Sequence, residues 1–281
     1  MVTSIDLLSS GRGGNTCPLP VFHRKERFVH PETSSPISHD EFFNGRLAFR
    51  QPTEGYRFSM DAVLVAHFLV PGRAARILDL GCGCGIIGQI LAYRHADVHI
   101  TGLELQEELA RLAGENATEN GFAHRVGVVC GDARAIGDLF PAESFDAVIS
   151  NPPYRRAGSG RLNDNIQAAR ARHELDGSLD DFVRAAAYAV KNRGKTVFIY
   201  PATRCNPLLI ALHRHRLTLK RLQPLYSYPG ATSARLVLIE AAKNGGEQLE
   251  LLPPLFLYEY RNGPYSRELQ ALYREEPCWR P

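Results

Sequence analysis

The chain carries, at residues 77–88, the sequence Ile77-Leu78-Asp79-Leu80-Gly81-Cys82-Gly83-Cys84-Gly85-Ile86-Ile87-Gly88. An apolar run that leads into closely spaced glycines and then into a second apolar stretch predicts a strand, a tight turn and a helix. Glycines in such a turn let the backbone approach a ligand closely and present amide groups at the helix N-terminus. We therefore expect Gly81, Gly83 and Gly85 to form the ligand-binding turn of an α/β fold.

Two kinds of ligand fit a turn of this type. Gly83, Gly85 and Gly88 match the G-x-G-x-x-G pattern of dinucleotide enzymes, and Glu104 follows at about the spacing of a ribose-binding acid. A nicotinamide-dependent oxidoreductase is therefore one open alternative. Asp79, however, stands two residues before the first glycine, where an unpaired carboxylate beside a pyrophosphate is unfavourable. A ligand with positive charge and no phosphate, such as S-adenosylmethionine, suits that position better.

Short apolar runs alternate with helical patterns along most of the chain. Such alternation is typical of βαβ units with a parallel sheet covered on both faces. The last two extended segments leave no room for a helix between them, which predicts a hairpin. We therefore expect an α/β fold with a seven-stranded, mostly parallel sheet and a C-terminal antiparallel hairpin. The expected strands are residues 76–80, 98–105, 126–130, 145–150, 195–200, 217–225 and 234–241, and the expected helices are 59–69, 86–95, 106–120, 179–192 and 206–215.

Acidic residues end three successive predicted strands. Asp79, Glu104 and Asp132 fall at the carboxyl edge of the sheet, where open α/β folds bind ligands, and Asp132 is expected to reach an adenine amino group. With the glycine turn, this arrangement resembles the class I S-adenosylmethionine-dependent methyltransferases over about residues 76–241. The resemblance implies a Rossmann-like fold, with S-adenosylmethionine as the cofactor.

A proline-rich tetrad, Asn151-Pro152-Pro153-Tyr154, directly follows the predicted buried strand 145–150. Two prolines cannot continue a central strand, so the chain must leave the sheet in a stiff, extended form. The Asn151 side chain and the Pro152 carbonyl are then two acceptors on a rigid frame, and a planar amino group has two protons to donate. Accepting both protons would aim the nitrogen lone pair at an electrophilic methyl group.

The tetrad resembles the signature of amino methyltransferases that act on adenine N6, glutamine N5 or guanine N2. The resemblance implies that Asn151 holds the target nitrogen and that Tyr154 faces the plane of the base or amide. It implies a single in-line displacement, in which the methyl group passes from a sulfonium to the nitrogen.

The net charge of +3 hides an uneven distribution. Residues 155–173 hold five arginines and one acid, and residues 204–221 hold four arginines and one lysine with no acid, so the rest of the chain is acidic. We expect this positive charge around the catalytic mouth, which favours a polyanionic substrate. Arg155 and Arg172 are the predicted substrate-binding arginines.

Further segments narrow the resemblance to one family. They are Gln51-Pro52, Gly55-Tyr56-Arg57-Phe58-Ser59-Met60-Asp61-Ala62, Ala171-Arg172-His173-Glu174, Ser233–Glu240, Pro253-Pro254-Leu255 and Gly263-Pro264-Tyr265-Ser266-Arg267-Glu268. Over about residues 41–274 the chain resembles the bacterial tRNA (adenine-N6)-methyltransferases that modify adenine 37 in the anticodon loop of a valine tRNA. The resemblance implies a tRNA substrate and places Phe58 and Asp61 near the cofactor.

Composition limits the class of protein. The longest uncharged run, Leu80–Tyr93, has 14 residues and is broken by glycines, so no membrane-spanning helix is expected. Six cysteines without zinc-like spacing, and a start without signal-peptide features, predict a cytoplasmic protein with no bound metal. Residues 1–38 are expected to be a disordered extension and residues 39–281 a single methyltransferase domain. The oligomeric state is open, with a monomer favoured.

Other functions share parts of this pattern. Glutamine-N5 methyltransferases of protein release factors carry the same tetrad, as do amino methyltransferases of rRNA or DNA. Release-factor enzymes have a helical substrate-binding domain before the catalytic domain, whereas only 78 residues precede Asp79 here. A cofactor-binding module without catalysis is an alternative from a different class.

Overall fold

A mostly parallel β-sheet lies at the centre of the structure, a computed structural model in which residues 37–53, 60–153 and 177–274 are described. The strands are β1 (Ile37–Phe42), β2 (Leu47–Pro52), β3 (Arg76–Leu80), β4 (His99–Glu104), β5 (Val126–Cys130), β6 (Phe145–Ser150), β7 (Val190–Pro201), β8 (Leu217–Tyr226), β9 (Ala234–Lys243), β10 (Glu250–Leu251) and β11 (Leu255–Phe256). The helices are α1 (Met60–Phe68), α2 (Ile86–Arg94), α3 (Glu107–Glu119), α4 (Ile136–Leu139), α5 (Leu179–Ala189), α6 (Cys205–Arg214) and α7 (Arg267–Arg274).

The central sheet has the strand order β10-β8-β9-β7-β6-β3-β4-β5, and β11 also pairs with β8. Strands β7, β6, β3, β4 and β5 are parallel, whereas β9 runs antiparallel between β7 and β8. The predicted fold class is therefore confirmed: seven strands form a mostly parallel sheet with an antiparallel hairpin near the C-terminus. Two further strands of two residues each, β10 and β11, extend it along β8.

Helices cover both faces of this sheet. Successive residues of a strand point to opposite faces, so Ile77 packs into the cluster formed with α1 and α2, and Leu78 packs into the cluster formed with α5 and α6. Strand residues buried on both sides explain why the predicted strands read as continuous apolar runs.

The passage from α5 to β7 differs from the prediction. The helix expected over residues 179–192 ends at Ala189, and the strand begins at Val190. Arg193 has a positive φ of 64°, and a Cβ on Gly194 would lie 2.8 Å from the Asp146 carbonyl oxygen. The close approach to β6 and the left-handed residue are incompatible with a continued helix.

An antiparallel hairpin of β1 and β2 precedes the first predicted helix. Residues 43–46 connect its strands, and Phe43, Asn44 and Gly45 have φ values of 51°, 57° and 80°. The hairpin is missing from the predicted elements, although Asn-Gly between apolar runs is a hairpin signal. The predicted N-terminal extension lies outside the described residues, except that Ile37 and Ser38 belong to β1.

Two asparagines, one in α3 and one directly after it, bind the backbone of β2. The Asn116 side chain accepts a hydrogen bond from Arg50 N (2.8 Å) and donates to Arg50 O (3.0 Å). One helical turn later, Asn120 makes the same pair with Ala48 N (2.9 Å) and Ala48 O (2.8 Å). Each side-chain amide thus makes the pair of hydrogen bonds that a residue of a neighbouring strand would make with β2. These bonds fix the hairpin to the helix that follows β4.

None of the helices within residues 60–153 and 177–274 is long and apolar enough to cross a membrane.

Replacing Asn116 by Ala should lower the free energy of unfolding by about 2–4 kcal/mol, because the buried amide makes three hydrogen bonds whose partners would be left unsatisfied. Thr118→Ala is the matched control, since Thr118 is exposed on the same helix, and it should change stability by less than about 0.5 kcal/mol. Equilibrium unfolding in urea measures both, and equal effects would contradict the role given to Asn116.

Candidate active site

The glycine turn joins β3 to α2 in a conformation that few other residues adopt. Gly81, Gly83 and Gly85 have φ values of 76°, 56° and 83°. A Cβ on Gly85 would lie 3.0 Å from the Ala113 Cβ, so the turn also packs tightly against α3. Positive φ and close packing together explain why the turn needs glycine at these positions.

Glu104, the last residue of β4, holds this turn in place. One carboxylate oxygen accepts a hydrogen bond from Gly83 N (2.8 Å), and the other accepts one from Gln106 N (2.9 Å). The Gly81 N–H donates to the Leu103 carbonyl oxygen at 2.8 Å. The end of β4 is therefore bound directly to the glycine turn, and Glu104 lies beside Gly83.

Asp79 is completely buried in β3. Its Oδ2 accepts a hydrogen bond from Gly88 N at 3.2 Å, and its Oδ1 has no hydrogen-bond partner among the described residues. Burial raises the pKa of this carboxyl from 3.8 to about 7, the bond from Gly88 opposes the rise, and the nearby Glu104 adds to it. A carboxylate held in this way favours a cationic ligand, whose charge would stabilise the ionised form.

Asp132 follows β5 at the same edge of the sheet, next to the end of β4. Its carboxylate accepts hydrogen bonds from the Arg134 backbone N–H (2.8 Å) and from the Arg134 guanidinium. These bonds lower the pKa of Asp132. Asp79, Glu104 and Asp132 therefore lie at the ends of three neighbouring strands, with Asp132 already paired to an arginine that sequence reasoning did not single out.

The Asn-Pro-Pro segment begins where β6 ends, beside β3. Asp79 pairs with Ile149, and the Ser150 hydroxyl donates to the Leu80 carbonyl oxygen at 2.7 Å. Asn151 directly follows β6 and Gly81 directly follows β3, so both lie at the carboxyl edge of two neighbouring strands. Pro152 is buried and Pro153 is half-buried. The structure thus places Asn151 on the strand next to the one that enters the glycine turn, and Tyr154 lies outside the described residues.

Asp61 lies near the start of α1, largely buried, and its charge is close enough to Tyr273 of α7 to contribute to a raised pKa of that phenol, for which burial is the main cause. Phe58, Arg155 and Arg172 lie outside the described residues.

Most of the cations of residues 204–221, which are expected at the catalytic mouth, bind groups of the protein itself. Arg214 pairs with Asp180 (2.9 Å), and Arg221 pairs with Glu240 (3.4 Å) and Glu250 (3.6 Å). Lys220 donates to the carbonyl oxygens of Gly246 and Gln248. Only Arg204 of this group directly follows the carboxyl end of a parallel strand, β7.

The described residues contain no cluster of three His, Cys, Asp or Glu side chains able to hold a metal ion. Cys82 and Cys84 are buried in the glycine turn, and burial raises the pKa of both thiols, that of Cys84 to about 12. They are therefore neutral packing groups; the Cys82 sulfur fills the space beside Gly102, where a Cβ would approach it to 2.7 Å.

Comparison with known proteins agrees with this geometry. The family model of the methyltransferase small domain matches residues 60–198. A tRNA1(Val) (adenine(37)-N6)-methyltransferase of Bacteroides thetaiotaomicron is 30% identical over 76% of this chain and 87% of its own. The chain belongs to this methyltransferase family. A relative of the same name from Shewanella halifaxensis is 27% identical over 79% of this chain and 92% of its own.

Among solved structures, a predicted O-methyltransferase from Agrobacterium tumefaciens is similar with a TM-score of 0.64 and 24% identity, covering 78% of this chain and 98% of that one. This likeness supports the methyltransferase fold. Membership of the family also decides between the two readings of the glycine pattern: the chain is a methyltransferase, and the oxidoreductase alternative is set aside.

One contact of this site was missed from the sequence. Asn116 Nδ2 donates to the Cys84 carbonyl oxygen at 3.0 Å, in the middle of the glycine turn. The same amide binds Arg50 of β2, so the N-terminal hairpin and the turn share one anchor. Its only sequence signal is the i, i+4 spacing of Asn116, in the amphipathic helix α3, and Asn120, which caps that helix.

Replacing Asp79 by Asn should change how stability depends on pH. The folded pKa of Asp79, about 7, is above its ordinary 3.8, so wild type is most stable, relative to the variant, at low pH and loses that advantage as pH rises to 7. Between pH 5 and pH 8 the free energy of unfolding of the variant should rise by roughly 2 kcal/mol relative to that of wild type. Equilibrium unfolding at pH 5 and at pH 8 measures this difference in stability. Asp138→Asn is the control, because Asp138 is an exposed aspartate. Parallel pH profiles for wild type and Asp79→Asn would contradict the prediction, since they would show that Asp79 is ionised in both the folded and the unfolded protein.

Proposed function

We propose that the protein transfers a methyl group from S-adenosylmethionine to the exocyclic N6 of an adenine in tRNA, with adenine 37 in the anticodon loop of a valine tRNA as the target. The observation that carries the proposal is the position of Asn151, directly after β6 at the edge of the sheet where the neighbouring β3 enters the glycine turn. The side chain that would hold the target amino group and the turn that would bind the cofactor then follow adjacent strands. The names of the relatives supply the substrate.

The residues present fit S-adenosylmethionine. At its three glycines the turn lets a ligand approach the backbone closely. Asp79 is a buried carboxylate, and one of its oxygens lacks a hydrogen-bond partner among the described residues. Glu104 stands at the end of the neighbouring strand, where an acid suits a ribose hydroxyl. The bound cofactor would supply an electrophilic methyl group on a sulfonium.

The chain's part in the reaction is to position a neutral amino group. The Asn151 side-chain oxygen and the Pro152 carbonyl would accept its two N–H protons, which keeps the lone pair directed away from the protein and toward the methyl carbon. The new N–C bond forms as the S–C bond breaks, and the extra proton on nitrogen then leaves to water. No base is required before the transfer.

We further propose that residues 39–281 form one methyltransferase domain and that the protein works in the cytoplasm, where tRNA is modified. Tyr154, Arg155 and Arg172 remain the predicted contacts to the base and to the phosphates, on the basis of the sequence alone.

Replacing Asn151 by Ala should reduce methyl transfer at least about 100-fold, because one of two positioning acceptors for the amino group is lost. S-adenosylmethionine affinity, measured by calorimetry, should stay within a few-fold of wild type. Asn192→Ala, at the start of β7 and away from the glycine turn, is the control and should keep full activity. A fully active Asn151→Ala enzyme would refute the role of Asn151.

The function itself is tested with purified protein, S-adenosylmethionine and an unmodified tRNA1(Val) transcript, followed by mass spectrometry of nucleosides. We expect N6-methyladenosine from the transcript with adenine 37 and none from a transcript with guanine there. Methylation of a release factor's glutamine, with no product on tRNA, would overturn the proposal in favour of the glutamine-N5 alternative.

A further inference from the structure

A cleft of about 390 Å³ lies between two tight turns near the end of β8, and it is lined by Ser227, Tyr228, Tyr258, Arg261, Asn262 and Gly263. One turn, Tyr228–Ala231, is closed by a bond from Ala231 N to Tyr228 O (3.0 Å), with Gly230 at φ 89°. The other, Tyr260–Gly263, is closed by a bond from Gly263 N to Tyr260 O (2.9 Å). Both walls are therefore held by backbone hydrogen bonds, and the volume is within the range of small-ligand sites.

The cleft lies at the same edge of the sheet as Asn151. Strand β8 runs antiparallel to β9, and β9 runs antiparallel to β7, so β8 ends at the edge where β6 and β3 end. The second wall follows β11, which pairs with the last residues of β8, and Tyr258 N donates to Ser227 O at 2.9 Å. Three strand spacings separate β8 from β6, or roughly 14 Å.

The side chains of this cleft suit a nucleotide. Tyr228 and Tyr258 present half-buried rings, and the Tyr258 ring is backed by Tyr265 at a centroid distance of 5.5 Å. Arg261 and Asn262 are exposed, and their side chains form no ion pair or hydrogen bond with the described part of the chain. Aromatic rings for stacking thus stand next to a cation and an amide that are available to a ligand.

The nearby acid is engaged elsewhere. Glu259 accepts a hydrogen bond from Arg267 N (2.9 Å) at the start of α7, where a negative charge is favourable. The free cation of Arg261 also contrasts with Lys220 and Arg221 of β8, whose charges are satisfied by carbonyls and carboxylates.

We propose that this cleft binds a second, unstacked nucleotide of the RNA substrate, a few residues along the strand from the methylated base. The base stacks on Tyr228 or Tyr258, the Asn262 amide binds its edge, and Arg261 contacts a phosphate. The inference rests on the proposed function, since it takes the substrate to be RNA. It adds a binding site outside the glycine turn and the Asn-Pro-Pro segment.

The test uses the full chain with the combined variant Tyr228→Ala and Arg261→Ala, and an anticodon stem-loop as substrate. We expect KM for RNA to rise about five-fold or more, the lower end of the effect of losing one aromatic stacking contact. The salt dependence of RNA binding should become shallower by about one phosphate contact. Affinity for S-adenosylmethionine and kcat should stay within two-fold.

Two matched variants separate stacking and specific charge from general effects. Tyr228→Phe keeps the ring and should retain wild-type KM, and Arg111→Ala removes an exposed arginine of α3 that pairs with Glu115 and should also leave KM unchanged. If wild type is active on the stem-loop and the combined variant has an unchanged KM, the nucleotide-binding role of the cleft is refuted, whereas the proposed function is not. If the wild-type protein methylates no RNA, the proposed function itself is refuted.

Photocrosslinking gives a readout that a purely structural role would not produce. Stem-loops with 5-iodouridine at single loop positions should crosslink to residues 227–235 or 257–263 from one position near the target base. Crosslinks confined to other segments would contradict the assignment, whatever the kinetics of the variants.

Discussion

The hydrogen bonds from the glycine turn to two buried carboxylates are the constraint on which the site depends. Helix α2 begins after Gly85, whose left-handed φ of 83° and tight contact with Ala113 exclude a capping side chain at that position. Asp79 supplies the missing acceptor from the preceding strand, because its Oδ2 binds the N–H of Gly88, the third residue of the helix. Glu104 does the same for Gly83 from the neighbouring strand. The acids that define the cofactor site therefore also fix the turn that forms it.

This arrangement has an electrostatic consequence. Two carboxylates in a buried turn repel each other, and Asp79, with one oxygen lacking a hydrogen-bond partner among the described residues, has the raised pKa. Glu104 has both oxygens hydrogen-bonded, which stabilises its charge. A cation arriving at the turn would relieve the unfavourable burial of ionised Asp79, so a positively charged ligand fits this site better than a pyrophosphate.

The sheet and the position of the site were predictable from sequence because their signals are local. Apolar runs, the glycines of residues 81–88 and the proline pair after β6 each act within a few positions of the chain. The N-terminal hairpin has a local signal, Asn44-Gly45, which the predicted elements do not include, whereas its anchoring to α3 had no local signal because Asn116 and Asn120 are 66 and 72 residues from their partners. The partners of the cations in residues 204–221 had no local signal either: Glu240 and the carbonyl of Gly246 become neighbours of Arg221 and Lys220 only after β8 pairs with β9 and β10.

The division of the chain between shared chemistry and substrate choice follows from this topology. The region that matches the methyltransferase small domain, residues 60–198, contains the glycine turn, the three acids and the Asn-Pro-Pro segment. Enzymes that methylate adenine and enzymes that methylate glutamine need the same acceptors for a planar amino group, so discrimination between RNA and protein must come from other parts of the molecule. The described elements after residue 198 place two turns at the carboxyl edge, with aromatic rings and an arginine that has no partner in the described structure. Rings and a cation match bases and phosphates better than a glutamine in a peptide, so the C-terminal elements would add to the selection of an RNA substrate beside the predicted contacts of Tyr154, Arg155 and Arg172.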